Sequence, residues 1–280
     1  MEPMTTAAQY ADVTLAKLSL TQVGAIVVMG LPLSGLAGFW AGTLRRRRLI
    51  ERGEEVEKLV SETTQGAFLG LLTLLLAFSF GNALSIAQSM KKAATHEAAA
   101  IGTAFLRADY LDEPGRMELK TAILEYAKTR VLPSDDQIDT RAELDGWLET
   151  TLVAQGKLWP TTLSATREPT PPPMQAFVAG AINDAIDAHL YRVAAQNVPL
   201  APFSQWVVLV ATITAIFLLA NRTGMLGRSL TWRMLAFSVL AGMVLYMISD
   251  IRRGHQGLIR IGQSELRATI FEMEQVLGTK

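Results

Sequence analysis

Two short patterns come closest to recognisable catalytic chemistry, and both fail on spacing. His96-Glu97 opens like a zinc-binding helix, where a second histidine four residues on would bring both imidazoles to one face. Position 100 is Ala, so that ligand is missing. Gly224-Met225-Leu226-Gly227 lacks the following Lys-Ser or Lys-Thr, and the preceding strand, that a phosphate-binding loop requires. His96, His189 and His255 lie far apart in the chain, and there is no cysteine to serve as nucleophile, disulfide partner or thiolate ligand. No serine or lysine stands in a nucleophile context. We therefore expect no enzyme, no metal and no cofactor.

A second set of residues suits packing and ion passage instead. At 100° per residue, Gly66, Gly70, Ala77 and Gly81 share one narrow sector of a helix, where small side chains let another helix approach closely. A column from Thr64 through Phe68, Leu71, Leu75, Phe78 and Asn82 to Ser89 occupies another sector. In a symmetric ring it would form a hydrophobic constriction with Asn82 amides at one mouth. In a lipid-facing helix the same residues would simply meet acyl chains. Gly38 and Gly42 form a further small-xxx-small step, suited to oligomerisation or to packing within the subunit, with Pro32 expected to kink that helix.

A third set is ionisable. Glu97 and Arg107 fall within about 80° on one helix, yet ten residues separate them, too far to pair directly. Each needs a partner on another helix, and Asn183, Asp187 and Arg192 are the candidates, with Asp250 near the end of the last apolar block. Such a set would serve either as a structural polar network between two long helices or as an ion-attracting vestibule.

The elements that must position these residues follow from where the apolar residues gather. Half of the 280 residues are hydrophobic although 26 basic and 26 acidic residues remain, so the apolar ones must be concentrated rather than spread. They form four blocks, at 22–44, 66–87, 203–220 and 234–249, none with a charged residue inside. Each approaches the roughly 17–25 residues that a hydrocarbon core of about 30 Å demands. The expected fold is an all-α integral membrane protein: an N-terminal tail (1–21), transmembrane helices 1 and 2 (22–88), a helical extramembrane domain (89–201), transmembrane helices 3 and 4 (202–250) and a C-terminal tail (251–280).

Within the extramembrane domain, the second helix should run on to about Leu111, Pro114 should open a helix to about Val131, and Asp139 or Thr140 should cap the next. The Pro- and Thr-rich stretch 157–173 is expected to be irregular, followed by a helix over 174–197. In the tail, Ser264 should cap a helix whose Leu266, Ile270, Met273 and Leu277 share an apolar face, most simply covered by the extramembrane domain.

Net charge is zero, which argues against a nucleic-acid partner, and the polar first twenty residues show no signal-peptide pattern. Arg45, Arg46, Arg47, Arg48, Arg52 and Lys58 cluster in one short connection and Arg222, Arg228 and Arg233 in the other. Both should be cytoplasmic, placing the N-terminus, the helical domain and the C-terminus outside, although Lys91, Lys92, Arg252, Arg253 and Arg260 reduce the contrast.

The run from His96 to Leu111, HEAAAIGTAFLRADYL, resembles the glutamate- and alanine-rich helix of the bacterial bestrophin-like membrane proteins. Ile182-Asn183-Asp184-Ala185-Ile186-Asp187 with Arg192, and Asp250-Ile251-Arg252-Arg253-Gly254 leading to Leu258-Ile259-Arg260, support the likeness in the same order between the spans. The resemblance implies a multi-pass protein of the bacterial inner membrane. It further implies a likeness to pentameric anion channels, in which the second span lines the pore, and hence a homo-oligomer in lipid with inorganic anions as its partners. In those channels the helical domain is cytoplasmic, whereas the arginines here place it outside. The rival expectation is a non-conducting scaffold or sensor whose helical domain binds another protein.

Overall fold

The computed structural model describes residues 20–54, 62–131, 141–167, 169–196, 202–251 and 262–278, and among them all regular structure is helical. The helices are α1 (Leu20–Glu51), α2 (Glu62–Arg107), α3 (Gly115–Thr129), α4 (Arg141–Ala165), α5 (Pro172–Gln196), α6 (Pro202–Met225), α7 (Trp232–Ile251) and α8 (Ser264–Leu277), with a 3-10 turn at Ala108–Tyr110. Four of them, α1, α2, α6 and α7, are long and apolar enough to cross a membrane, so the chain is an all-α membrane protein. The helices divide into two compact units. One comprises α1, α2 up to Ser85, α6 and α7; the other comprises α2 from Ile86 onward with α3, α4, α5 and α8.

In the membrane unit, Val27 and Leu31 of α1, Val208, Ile216 and Ala220 of α6, and Met234 and Leu245 of α7 form the core. Glycines allow the close approach. A Cβ at Gly38 or Gly42 would run into the backbone carbonyl of Phe217 or Asn221 on α6, and Asn221 Nδ2 donates to the Gly38 carbonyl at 3.2 Å. The small-xxx-small step of α1 is thus spent inside the subunit. The arginine run expected in a loop instead belongs to α1, which continues to Glu51. Arginine is a good helix former, and its charge meets the negative end of the helix dipole.

The helical unit is built around Ile101 and Phe105 of α2, Leu119, Ile123 and Tyr126 of α3, Leu158 of α4, and Val178 and Ile182 of α5. The apolar stripe of α8 closes it through Leu266, Ile270 and Met273, as its spacing led us to expect. An added Cβ on Gly102 would touch Thr269 at 3.4 Å, so a glycine in α2 admits α8. Glu113 starts α3, its carboxylate accepting the Met117 N–H at 3.2 Å and pairing with Arg116. The choice of Asp139 or Thr140 as a cap, the connection containing Lys58, and the turn from Arg252 to Gly257 with its His255 lie outside the described residues.

Two expectations are corrected. The stretch 157–173 is largely helical: α4 runs through Pro160 to Ala165, and α5 begins at Pro172, so the irregular part shrinks to the connection between them. Pro160 removes one N–H, but Leu158 is anchored in the core, and the Thr162 and Thr166 hydroxyls bond back to the Leu158 and Thr162 carbonyls. Packing on both sides of the proline holds the helix together. At α8, Gln263 is the capping residue, though its side chain makes no capping hydrogen bond, whereas Ser264 is the first helical residue and bonds to Glu265. The far end stops at Gly278, whose φ of 67° suits the left-handed position that ends a helix.

Candidate functional site

The second helix carries the first candidate site. Its stripe of Leu69, Leu72, Leu76, Ser79, Ala83 and Ile86 is wholly or partly buried, and Leu76 packs on the membrane core. The rest of the span is open. Only 11% of it is buried within the chain, against 44% of α7. Phe68, Leu71, Phe78 and Asn82 are exposed, Phe78 to 70%, and Leu75 is half-buried.

The small-residue sector was expected to pack against protein, but within the single chain it does not. A Cβ at Gly66, Gly70 or Gly81 would meet nothing, and Ala77 is exposed. The close-packing role within the subunit falls to the α1 glycines. Spacing identifies a face that admits a helix; it does not say whether that helix belongs to the same chain. The open small-residue sector and the Phe68–Asn82 column lie about 130° apart on the helix.

The second candidate is a charge cluster inside the helical unit. Glu97, on α2, is completely buried, and its carboxylate accepts from Arg130 Nε at 2.7 Å and Arg192 Nη1 at 2.5 Å. Arg130 lies at the end of α3 and Arg192 on α5, so this carboxylate ties three helices together. His189 Nδ1 is 3.6 Å from the same carboxylate. Trp147 of α4 lies beside the Arg130 guanidinium, 4.8 Å from ring centroid to Cζ. Burial alone would raise the Glu97 carboxyl, but Arg130, the nearby His189 imidazole and Arg192 outweigh it and hold the group well below the usual carboxylate range. Burial lowers His189 to about 4, the nearby Glu97 carboxylate opposing and the arginine charges reinforcing it, so the imidazole is neutral at pH 7.

Of the six ionisable or polar candidates read from the sequence, Glu97 meets Arg192 in the buried cluster, and Asn183 meets Asp187 apart from it. Arg107 donates to the Phe177 carbonyl at 3.1 Å and stacks on that ring. Asn183 donates to Asp187 at 3.1 Å on the exposed side of α5, and Asp250 is buried in the membrane unit. Arg130, His189 and Trp147 were missed. A helical wheel would have found one of them: Asn183 and Asp187 fall about 180° and 140° from Arg192 on α5, whereas His189 falls about 60° away. Arg130 ends a helix with no local signal of its partner, which is 33 residues earlier.

His96 and Asp187 do share a feature, a cavity of about 490 Å³ also lined by Thr103, Asp184 and Tyr191 between α2 and α5. Nothing in it converges on a reacting atom.

Residues 30–266 match the family model of the Bestrophin-like domain. No curated protein and no solved structure matches the chain.

Proposed function

The chain belongs to the bestrophin-like family of membrane proteins, and we propose that it assembles as a homo-oligomeric channel for inorganic anions with α2 lining the pore. One observation carries this reading: α2 spends a single stripe on its own chain and leaves two distinct faces open. A ring needs both. The sector of Gly66, Gly70, Ala77 and Gly81 admits a neighbouring subunit, and the column of Phe68, Leu71, Leu75, Phe78 and Asn82 turns to the axis. There the aromatic and leucine side chains form a constriction that conducts only when wetted, and the Asn82 amides offer N–H donors to an anion at one mouth. In this reading the protein sits in the bacterial inner membrane with its helical unit outside, following the arginines that flank α1 and α6.

The test is halide flux into liposomes holding the purified protein at matched reconstitution. Phe78→Ala, which removes the bulk of an exposed ring, should raise flux several-fold, and Asn82→Leu should lower it. Flux no greater than that of empty liposomes, across several pH values and salt conditions, would sink the channel and leave a membrane scaffold or sensor whose helical unit binds a partner.

A further inference from the structure

Among the described residues, the buried charges gathered around Glu97 do not balance. Glu97 supplies one negative charge, Arg130 and Arg192 one positive charge each, and His189 is neutral, so the cluster carries a net charge of +1. All of these side chains are 2% exposed or less. An unbalanced charge in a dry interior is strongly unfavourable unless a counter-charge accompanies it.

The donors are also unequal to the acceptors. Arg130 gives Nε to Glu97, yet its Nη1 and Nη2 are buried without a hydrogen-bond partner. Beside it, the Trp147 Nε1–H is likewise buried and unpartnered. The aromatic face of Trp147 attracts the cation but accepts none of the guanidinium's in-plane N–H bonds. Three orphan N–H groups therefore belong to two adjoining side chains, and all three are donors. Gln155, whose Oε1 is an orphan acceptor, lies two turns further along α4, about 12 Å down its axis.

We propose that Arg130 Nη1 and Nη2 and Trp147 Nε1 hold one small monovalent anion, of halide or nitrate size, within the helical unit. A donor-only set next to a surplus of one positive charge selects an anion over water, which must also place its own two protons. The charge balance selects a monovalent ion, and full burial of Arg130 selects a small one. The anion completes the junction of α2, α3, α4 and α5. It is a structural ligand, independent of conduction, and a protein that passes no ions would still bind it.

The measurement is the thermal unfolding midpoint of the full-length protein in detergent, at fixed ionic strength, as gluconate is replaced by chloride, bromide or nitrate. Binding to the folded state predicts a saturable rise with each small anion. Arg130→Gln strips Glu97 of a partner and need not fold, so Trp147→Phe is the diagnostic change: it keeps the ring and deletes one neutral donor. Its half-saturating anion concentration should rise by roughly three- to tenfold, with the gluconate midpoint near wild type. Equal midpoints in gluconate and chloride would overturn the proposal. So would a rise whose half-saturation Trp147→Phe leaves unchanged, because the responsible anion would then sit elsewhere.

Discussion

His189 shares its buried junction with Glu97, Arg130 and Arg192. Its folded value of about 4 lies below the ordinary 6.5, so the unfolded chain takes up a proton more readily between those values. Stability contributed by the neutral imidazole is complete above pH 6.5 and is lost as pH falls through about 4. At about 1.4 kcal/mol per pH unit the full effect is about 3–4 kcal/mol, as an order of magnitude. Glu97 is depressed as well, so its own contribution is lost only below the ordinary carboxylate value of 4.5. The two windows separate. In His189→Gln, the fall in thermal midpoint between pH 6.5 and 4.5 should largely vanish while the steeper fall below 4.5 persists; an unchanged upper slope would mean that His189 does not titrate there. The partners of Glu97 were only half legible in the sequence. Residues on one helix can be sorted by angle, which points to His189 over Asp187, but nothing local announces that the end of α3 returns to α2.

Apolar block length showed four membrane helices, because a bilayer admits little else, and the alanines of 93–100 kept α2 continuous beyond the membrane block. Proline chemistry misled at Pro160, where packing at Leu158 outweighs one lost hydrogen bond. Glycines in two helices look alike in sequence and differ in what faces them. Gly42 lies against the Asn221 carbonyl of α6, and Gly70 lies against nothing in its own chain. Gly42→Ala should therefore force α1 and α6 apart, costing about 1–3 kcal/mol as an overpacked contact, more than the gain in helix propensity restores. A lowered thermal midpoint in detergent would show it. Gly70→Leu should leave the fold of each subunit intact, by circular dichroism, and shift native mass spectra from oligomer towards monomer. Unchanged assembly in Gly70→Leu would mean that this sector of α2 faces lipid.

At the scale of the molecule, the side of the membrane that receives the helical unit decides what that unit can meet. Arg45–Arg48 extend α1 beyond its apolar stretch, and Arg222 stands in the last turn of α6. The two ends thus share a strong basic bias, which favours the cytoplasm. Lys91, Lys92, Arg252, Arg253 and Arg260 pull the other way, but they are five against the nine of Arg45–Arg48, Arg52, Lys58, Arg222, Arg228 and Arg233. The absence of cysteine makes the question clean, because a single introduced thiol is the only one present. Glu149 is exposed on α4 and Ser229 is exposed between α6 and α7. In spheroplasts, a membrane-impermeant maleimide should label Glu149→Cys directly and Ser229→Cys only after permeabilisation. The reverse pattern would put the helical unit in the cytoplasm, where pentameric bestrophin channels carry theirs, and would mean that Lys91, Lys92, Arg252, Arg253 and Arg260 outweigh the arginines at the other ends of the spans. Equal labelling of both before permeabilisation would rule out an odd number of membrane crossings between the two positions. That would remove α6 as a span and with it the four-helix arrangement.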